Sequence, residues 1–260
     1  MGLDEDSLAY HRSDPPGKIE ISTTKPTNTQ RDLSLAYSPG VAAPCNAIDA
    51  DPTEAYTYTA KGNMVGVVSN GSAVLGLGDI GAQASKPVME GKGVLFKRFA
   101  DIDVFDIELE EADPAAFADS VARMEPTFGG INLEDIKAPE CFEIESYLGE
   151  KMDIPVFHDD QHGTAIISGA ALLNAVEIAD KSLENLDIVF AGAGAAATAT
   201  ARFYESLGVD ADNITICDID GIVTEARIAN DDPHTYIEQF ASDSPEGSLA
   251  DAMAGADVFV

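Results

Sequence analysis

Residues 186–218 leave this chain few folds to choose from. An apolar run, Leu186-Asp187-Ile188-Val189-Phe190-Ala191, meets Gly192-Ala193-Gly194-Ala195-Ala196-Ala197. A helical stretch over Thr198–Leu207 follows, then a second apolar run, Asn213–Cys217, that stops at Asp218. The order strand, Gly-x-Gly-x-x-Ala, helix, strand, acid predicts the first βαβ unit of a Rossmann-type dinucleotide-binding sheet. The first glycine makes the turn, the second lets backbone approach a pyrophosphate, and the small third residue lets helix meet strand. A helix N-terminus offers N–H donors and positive potential to phosphates. Gly192, Ala193, Gly194, Ala195 and Ala196 are therefore candidate cofactor-binding residues for NAD or NADP, with Asp218 the candidate for a ribose hydroxyl. By the usual rule Asp218 favours NAD, since a carboxylate repels a 2′-phosphate.

The sequence before this unit also alternates. Strands are expected at Met64–Ser69, Asp103–Leu109, Thr127–Ile131 and Met152–Phe157, with helices at Pro114–Met124 and Pro139–Leu148. Strands alternating with helices imply parallel pairing. The expected organisation is an α/β domain over residues 1–160 and a dinucleotide-binding domain over 161–260. A long apolar helix, Thr164–Ala179, connects them. The chain stops at Ala256-Asp257-Val258-Phe259-Val260, which reads as a new strand. A dinucleotide-binding sheet of about three strands is incomplete, so an N-terminal piece of a longer protein is expected.

The densest chemistry lies in Phe157-His158-Asp159-Asp160-Gln161-His162-Gly163-Thr164, at a strand-to-helix joint where α/β proteins bind ligands. Taken alone, it reads equally well as a polar turn with an N-cap aspartate. A second acidic pair, Glu134-Asp135, lies in another loop. Carboxylates from two loops can hold a hard divalent cation through oxygen and leave positions for substrate and water. Glu134, Asp135 and Asp160 are the candidate metal ligands.

A second glycine series, Gly76-Leu77-Gly78-Asp79-Ile80-Gly81, matches Gly-x-Gly-x-x-Gly, but a lone fingerprint is a weak signal. Pro87 is expected to interrupt the helix after it. Gly76, Gly78 and Gly81 are kept as candidate cofactor-side residues, placed beside the nicotinamide and substrate. Lys92 lies between Gly91 and Gly93 in apolar surroundings. Those would partly desolvate its ammonium and make it a usable base; a solvated surface lysine is the commoner outcome. Tyr37 precedes the turn Ser38-Pro39-Gly40, either as a half-buried ring with a wet hydroxyl or as a phenol aimed into a site.

With these residues in view the chain resembles malic enzyme, specifically the shorter prokaryotic type. The matching segments are Ala36-Tyr37-Ser38-Pro39-Gly40-Val41-Ala42, Gly76–Gly81, Glu90-Gly91-Lys92, Phe128-Gly129-Gly130-Ile131-Asn132-Leu133-Glu134-Asp135, Phe157–Ala165 and Gly192-Ala193-Gly194. The resemblance implies a malate-binding N-terminal domain followed by the cofactor domain. It implies oxidative decarboxylation of (S)-malate to pyruvate and CO2 with NAD or NADP and Mg2+ or Mn2+. Carried over residue by residue, it implies that Glu134, Asp135 and Asp160 hold the cation. Lys92 would take the proton of the malate C2 hydroxyl, and Tyr37 would protonate C3 of enolpyruvate. The asparagine that holds the substrate carboxylate in the family falls beyond Val260. Two other readings compete. A metal-independent hydroxy-acid or amino-acid dehydrogenase would share only the nucleotide module and leave the three carboxylates solvated. A non-catalytic nucleotide-binding fragment would turn nothing over.

Composition bears on partners and setting. Forty-six acidic against fifteen basic residues give a formal charge of −31, which repels nucleic acid and anionic membrane. Neither partner is expected; a small-molecule substrate and a homo-oligomer, a dimer at least, are. Three distant cysteines, Cys45, Cys141 and Cys217, argue for a reducing cytoplasm. No signal peptide is read in residues 1–20, and no apolar run reaches the length of a bilayer span. The acidic residues are spread along the chain, which reads as the solvation strategy of a salt-adapted organism. In molar salt the Debye length falls to about 3 Å and self-repulsion is screened. The melting temperature should therefore fall as KCl is lowered from molar to millimolar; a flat or rising one would show that the acidic surface is not a salt adaptation.

Overall fold

A computed structural model of the chain describes residues 2–229, 236–243 and 246–260. Two compact units alternate along the sequence. One comprises Met1–Leu133 and Leu148–Val156, the other Glu134–Tyr147 and Phe157–Val260.

In the first unit, β1 (Met64–Ser69) pairs in parallel with β2 (Asp103–Glu108) and with β3 (Gly130–Leu133). The Ile131 N–H donates to the Pro155 carbonyl at 2.9 Å, and Val156 opens β4 (Val156–His158), fourth in the order β2-β1-β3-β4. Gly66, Val67, Val68 and Ser69 of β1 are all buried, the near-continuous burial expected of a parallel strand covered on both faces. Phe117 and Val121 of the helix Pro114–Ala122 supply core side chains.

Two strands begin later than the sequence suggests. Lys61 Nζ donates to the carbonyls of Glu125 and Phe128, and the Thr127 N–H goes to Met124. Residues 125–128 therefore form a turn, and β3 starts at Gly130. Pro155 has no N–H to give a ladder, and β4 starts after it.

The helix over Ala82–Ala100 runs 19 residues, through Pro87. The expected break is absent. Burial outweighs the one backbone bond that proline forfeits: Met89 and Gly93 lie in the core, and at Gly93 a Cβ would already touch Val104 of β2 at 3.4 Å. Lys18 Nζ donates to the Pro87 carbonyl at 2.7 Å. Upstream, Thr29 and Asp32 form a reciprocal capping box on the helix Gln30–Ala36.

In the second unit β5 (Ile188–Ala191) is flanked by parallel strands β6 (Ile214–Asp218) and β8 (Val258–Phe259). A short antiparallel strand, β7 (Gly221–Ile222), completes the order β7-β6-β5-β8. Leu186, Ile188, Phe190, Ile214 and Ile216 form one core with Leu172 of the helix Asp159–Ala179 and Ala201 and Tyr204 of the helix Ala195–Leu207. Against the expectation that no run is long enough, the 21-residue helix Asp159–Ala179 has the length and hydropathy of a bilayer span. It starts five residues before Thr164, with a polar first turn that lengthens the helix, and its Leu172 joins the core just described.

Among the glycines of the first unit, Gly71 stands closest to neighbouring backbone. Its φ is +67°, and a Cβ there would sit 2.3 Å from the Gly81 carbonyl oxygen. Gly71→Ala should lower unfolding free energy by about 2 kcal/mol or more, from left-handed strain plus the clash. Gly149→Ala, on a helix with nothing within 4 Å, should be neutral or stabilise by up to about 1 kcal/mol. Urea titration of the two variants checks the contrast.

Candidate active site

Glu134 and Asp135 follow the last residue of β3, and Asp160 stands two residues after β4. Carboxyl ends of strands are where open α/β sheets place ligands. One oxygen from each of Glu134, Asp135 and Asp160 lies within 4.8 Å of the others. Glu134 and Asp135 are buried, and the Asp160 side chain is 36% exposed. Asp135 holds a left-handed backbone, φ 54°, uncommon outside glycine. Its N–H donates to Asp160 Oδ2 at 2.9 Å, so the two acidic segments are bonded to each other as well as convergent. All donors are hard carboxylate oxygens, the set suited to Mg2+ or Mn2+.

The polar stretch after β4 is helical, not a turn: the helix begins at Asp159. Its N-cap, His158, makes no side-chain capping bond. Glu145, on the helix Glu140–Lys151, is the acceptor instead. It receives the His158 N–H at 3.0 Å and Gln161 Nε2 at 3.1 Å, and His162 Nε2 lies 2.8 and 2.9 Å from its two oxygens. Glu145 belongs to no motif, and the sequence reading missed it. One signal was available: with Cys141 and Leu148, both buried, it completes an i, i+4, i+7 stripe, and an acid on an apolar helix face needs partners.

Titration follows these contacts. The hydrogen bond to Glu145 raises the His162 pKa against the opposing effect of burial. Burial lowers that of His158, although Asp160 and Glu145 pull it upward. The His158 imidazole is fully buried, with no hydrogen-bond partner among the described residues, and it is held neutral. Burial, then the charges of Glu145 and Asp160, push the Cys141 thiol up to about 12.

Lys92 lies midway along the helix Ala82–Ala100, half-buried, between Gly91 and the buried Gly93. Tyr37 is the C-cap of the helix Gln30–Ala36, its side chain 77% exposed. Both belong to the first compact unit and the three carboxylates to the second.

The two glycine loops differ in how they use their N–H groups. In the first, Leu77 and Gly78 donate to the Val74 carbonyl, and Ile80 and Gly81 to that of Gly71. Gly76 and Gly78 are exposed, and Gly81 is the N-cap of the long helix. In the second, Gly192, with φ 135°, turns the chain off β5 and gives its N–H to the Cys217 carbonyl at 2.7 Å. The helix starts at Ala195 under Gly194, a cap with no side chain. A Cβ on Gly194 would meet nothing within 4 Å, so the approach to the first helical turn is open at Gly194, as a phosphate cradle requires. Ala193 packs on the core, and Ala195 and Ala196 form the first turn.

Asp218, at the end of β6, pairs with Arg227 at 2.6 Å, and its other oxygen accepts the Asp220 N–H at 2.8 Å. Arg227 also donates to the carbonyls of Gly221 and Ile222. Burial raises the Asp218 pKa, but the hydrogen bonds from Arg227 and Asp220 outweigh it and the net shift is downward.

Comparison with known proteins bears on these features. Residues 16–116 match the family model for the malic enzyme N-terminal domain, and residues 161–253 that for the malic enzyme NAD binding domain. The chain is 57% identical over 258 residues to the NADP-dependent malic enzyme of Escherichia coli (strain K12), covering 99% of this chain and 34% of that protein. It is 57% identical over the same length to the NAD-dependent malic enzyme of Rhizobium meliloti (strain 1021), covering 33% of it. It thus spans about a third of the length of these curated relatives. Among solved structures, the NAD-dependent malic enzyme from Thermotoga maritima superposes with a TM-score of 0.92 at 44% identity, over 98% of this chain and 68% of that one.

The Asp218–Arg227 pair gives a pH signature. A carboxylate whose pKa is depressed in the fold contributes stability above its ordinary value, about 3.9, and loses it as pH falls through the lower value. Asp218→Asn should therefore be less stable than the parent at pH 7, with the gap closing as pH falls below about 4. Urea unfolding at both pH values in molar KCl measures it.

Proposed function

The chain belongs to the malic enzyme family, and on that premise we propose that its activity is the oxidative decarboxylation of (S)-malate to pyruvate and CO2. NAD(P)+ accepts the hydride, and Mg2+ or Mn2+ is required. The observation that carries the reading is the convergence of Glu134, Asp135 and Asp160, from two segments, on one point. Bound there, the dication supplies Lewis acidity toward a substrate oxygen. Residues 1–160 are proposed as the substrate and metal domain and residues 161–260 as the cofactor domain.

Each residue then has a task. Glu134, Asp135 and Asp160 bind and orient the cation. Lys92 Nζ takes the proton of the malate C2 hydroxyl as hydride leaves C2. The C3–C4 bond then breaks with release of CO2, and the electron pair remains on the three-carbon enolate. The Tyr37 hydroxyl returns a proton to C3, giving pyruvate. Gly192–Ala197 and the first helical turn hold the pyrophosphate. Asp218 accepts from a ribose hydroxyl with lone pairs left over from its two bonds. The Gly76–Gly81 loop, in which the N–H groups of Leu77, Gly78, Ile80 and Gly81 already have acceptors, lies beside nicotinamide and malate. Relatives named for NADP and for NAD stand at the same 57% identity, so the proposal extends to nicotinamide dinucleotides as a class. A homo-oligomer in the cytosol completes the reading; three free thiols fit a reducing compartment.

Two titrations test this assignment by a crossover. Asp160→Asn should weaken Mn2+ binding at least about tenfold, as loss of a charged ligand does, and leave NAD(P)H fluorescence binding intact. Gly194→Val should remove NAD(P)H binding and spare that of Mn2+. Unchanged Mn2+ affinity in a folded Asp160→Asn chain would refute the metal assignment, and loss of cofactor from Gly78→Val alone would reverse the roles of the two glycine loops.

A further inference from the structure

We infer that Glu145 is a positioning residue for the cation site: it fixes the first turn of the helix Asp159–Ala179 and thereby the direction in which Asp160 presents its oxygens. The inference rests on the proposed role of Glu134, Asp135 and Asp160 as cation ligands.

A helix start leaves backbone N–H groups that need acceptors. In a capping box, the third helical residue reaches back to the N–H of the N-cap. Here the third residue is Gln161, and the N-cap N–H of His158 goes to Glu145 Oε1 at 3.0 Å. Gln161 Nε2 itself donates to Glu145 Oε2 at 3.1 Å. His162 Nε2 lies 2.8 Å from Oε1 and 2.9 Å from Oε2. Residues 158, 161 and 162 are thus anchored to one carboxylate, with Asp160 between them. The turn cannot rotate about the helix axis without stretching at least one of these bonds.

Glu145 also ties the two ligand segments together. Its helix, Glu140–Lys151, follows Glu134 and Asp135 after a short connection. The Asp135 N–H to Asp160 Oδ2, at 2.9 Å, closes the circuit on the far side. Three protein donors occupy the Glu145 oxygens, which makes this carboxylate an acceptor for the scaffold and not a fourth ligand. Groups that orient metal ligands in this way commonly change metal affinity 10- to 100-fold when removed.

Mn2+ binding to the whole chain, followed by calorimetry and by the Mn2+ resonance signal, tests the inference. Glu145→Gln keeps the volume but turns an amide NH2 toward groups that are themselves donors. Its Mn2+ dissociation constant should rise about 10- to 100-fold while the far-UV circular dichroism stays that of the parent. In an Asp160→Asn background the same change should add no further loss, because its effect passes through Asp160. An equal loss in both backgrounds would mean that Glu145 acts on the fold at large, and would overturn the inference. If Glu145→Gln does not fold, His162→Leu, which withdraws a single donor, is read in the same way and should raise the constant by a smaller factor; no rise overturns the inference. Binding lost in Asp160→Asn but unchanged in a folded Glu145→Gln overturns the positioning role alone. A parent chain that does not bind Mn2+ removes the cation site and the positioning role together.

Discussion

Three carboxylates crowded within 4.8 Å of one another are the constraint to which the surrounding residues answer. Two like charges about 4 Å apart repel by roughly 4 kcal/mol at an effective dielectric near 20, and by less where solvent reaches them, as at Asp160. Such a cluster holds its shape only if something other than its own attraction fixes it. Asp135 is held in a left-handed conformation that aims its N–H at Asp160. On the other side, Glu145 grips the helix start that carries Asp160. The neutral, buried His158 and the undissociated Cys141 add no further charge to the cluster.

Much of the fold was legible in the sequence because it depends on local signals. The run from Leu186 to Asp218 folds as the βαβ unit it spells, with glycine at the turn and alanine at the helix start. Thr29 and Asp32 cap the helix Gln30–Ala36, a local signal that the reading of the sequence passed over. The failures share a cause: tertiary contacts outweighed local preference. Pro87 should break a helix, yet its helix is pressed onto β2 through Gly93 and persists. The polar residues after β4 read as a turn with an N-cap aspartate, yet they are helical, and the N–H of the actual N-cap, His158, goes to Glu145 on another helix, 13 residues earlier in the chain. Lys61 converts the expected start of β3 into a turn by capturing two carbonyls.

The candidate site was legible to a different degree. The three acids stood out as pairs in loops, and they meet in space. Glu145 looked like one more charge on a strongly acidic chain, and only its partners single it out. The two glycine series look alike on paper. What separates them is hydrogen bonding: Leu77, Gly78, Ile80 and Gly81 give their N–H groups to the carbonyls of Val74 and Gly71 just upstream, whereas Gly192 gives its own to Cys217 across the sheet and the helix then starts at Ala195. Nor could the sequence tell that Arg227 would lie against Asp218, because a short antiparallel strand brings it back.

The alternation of the two compact units along the sequence governs how the chain can be assembled on the ribosome. The first unit runs to Leu133 but also claims Leu148–Val156, with the buried Leu148, Met152 and Ile154. Until Pro155 has left the exit tunnel, the Ile131 N–H lacks its native acceptor. A nascent chain arrested at residue 140 therefore holds an unfinished unit. The loop that carries Glu134 and Asp135 is translated inside the stretch on which completion waits, so the acidic pair emerges before the first unit can close.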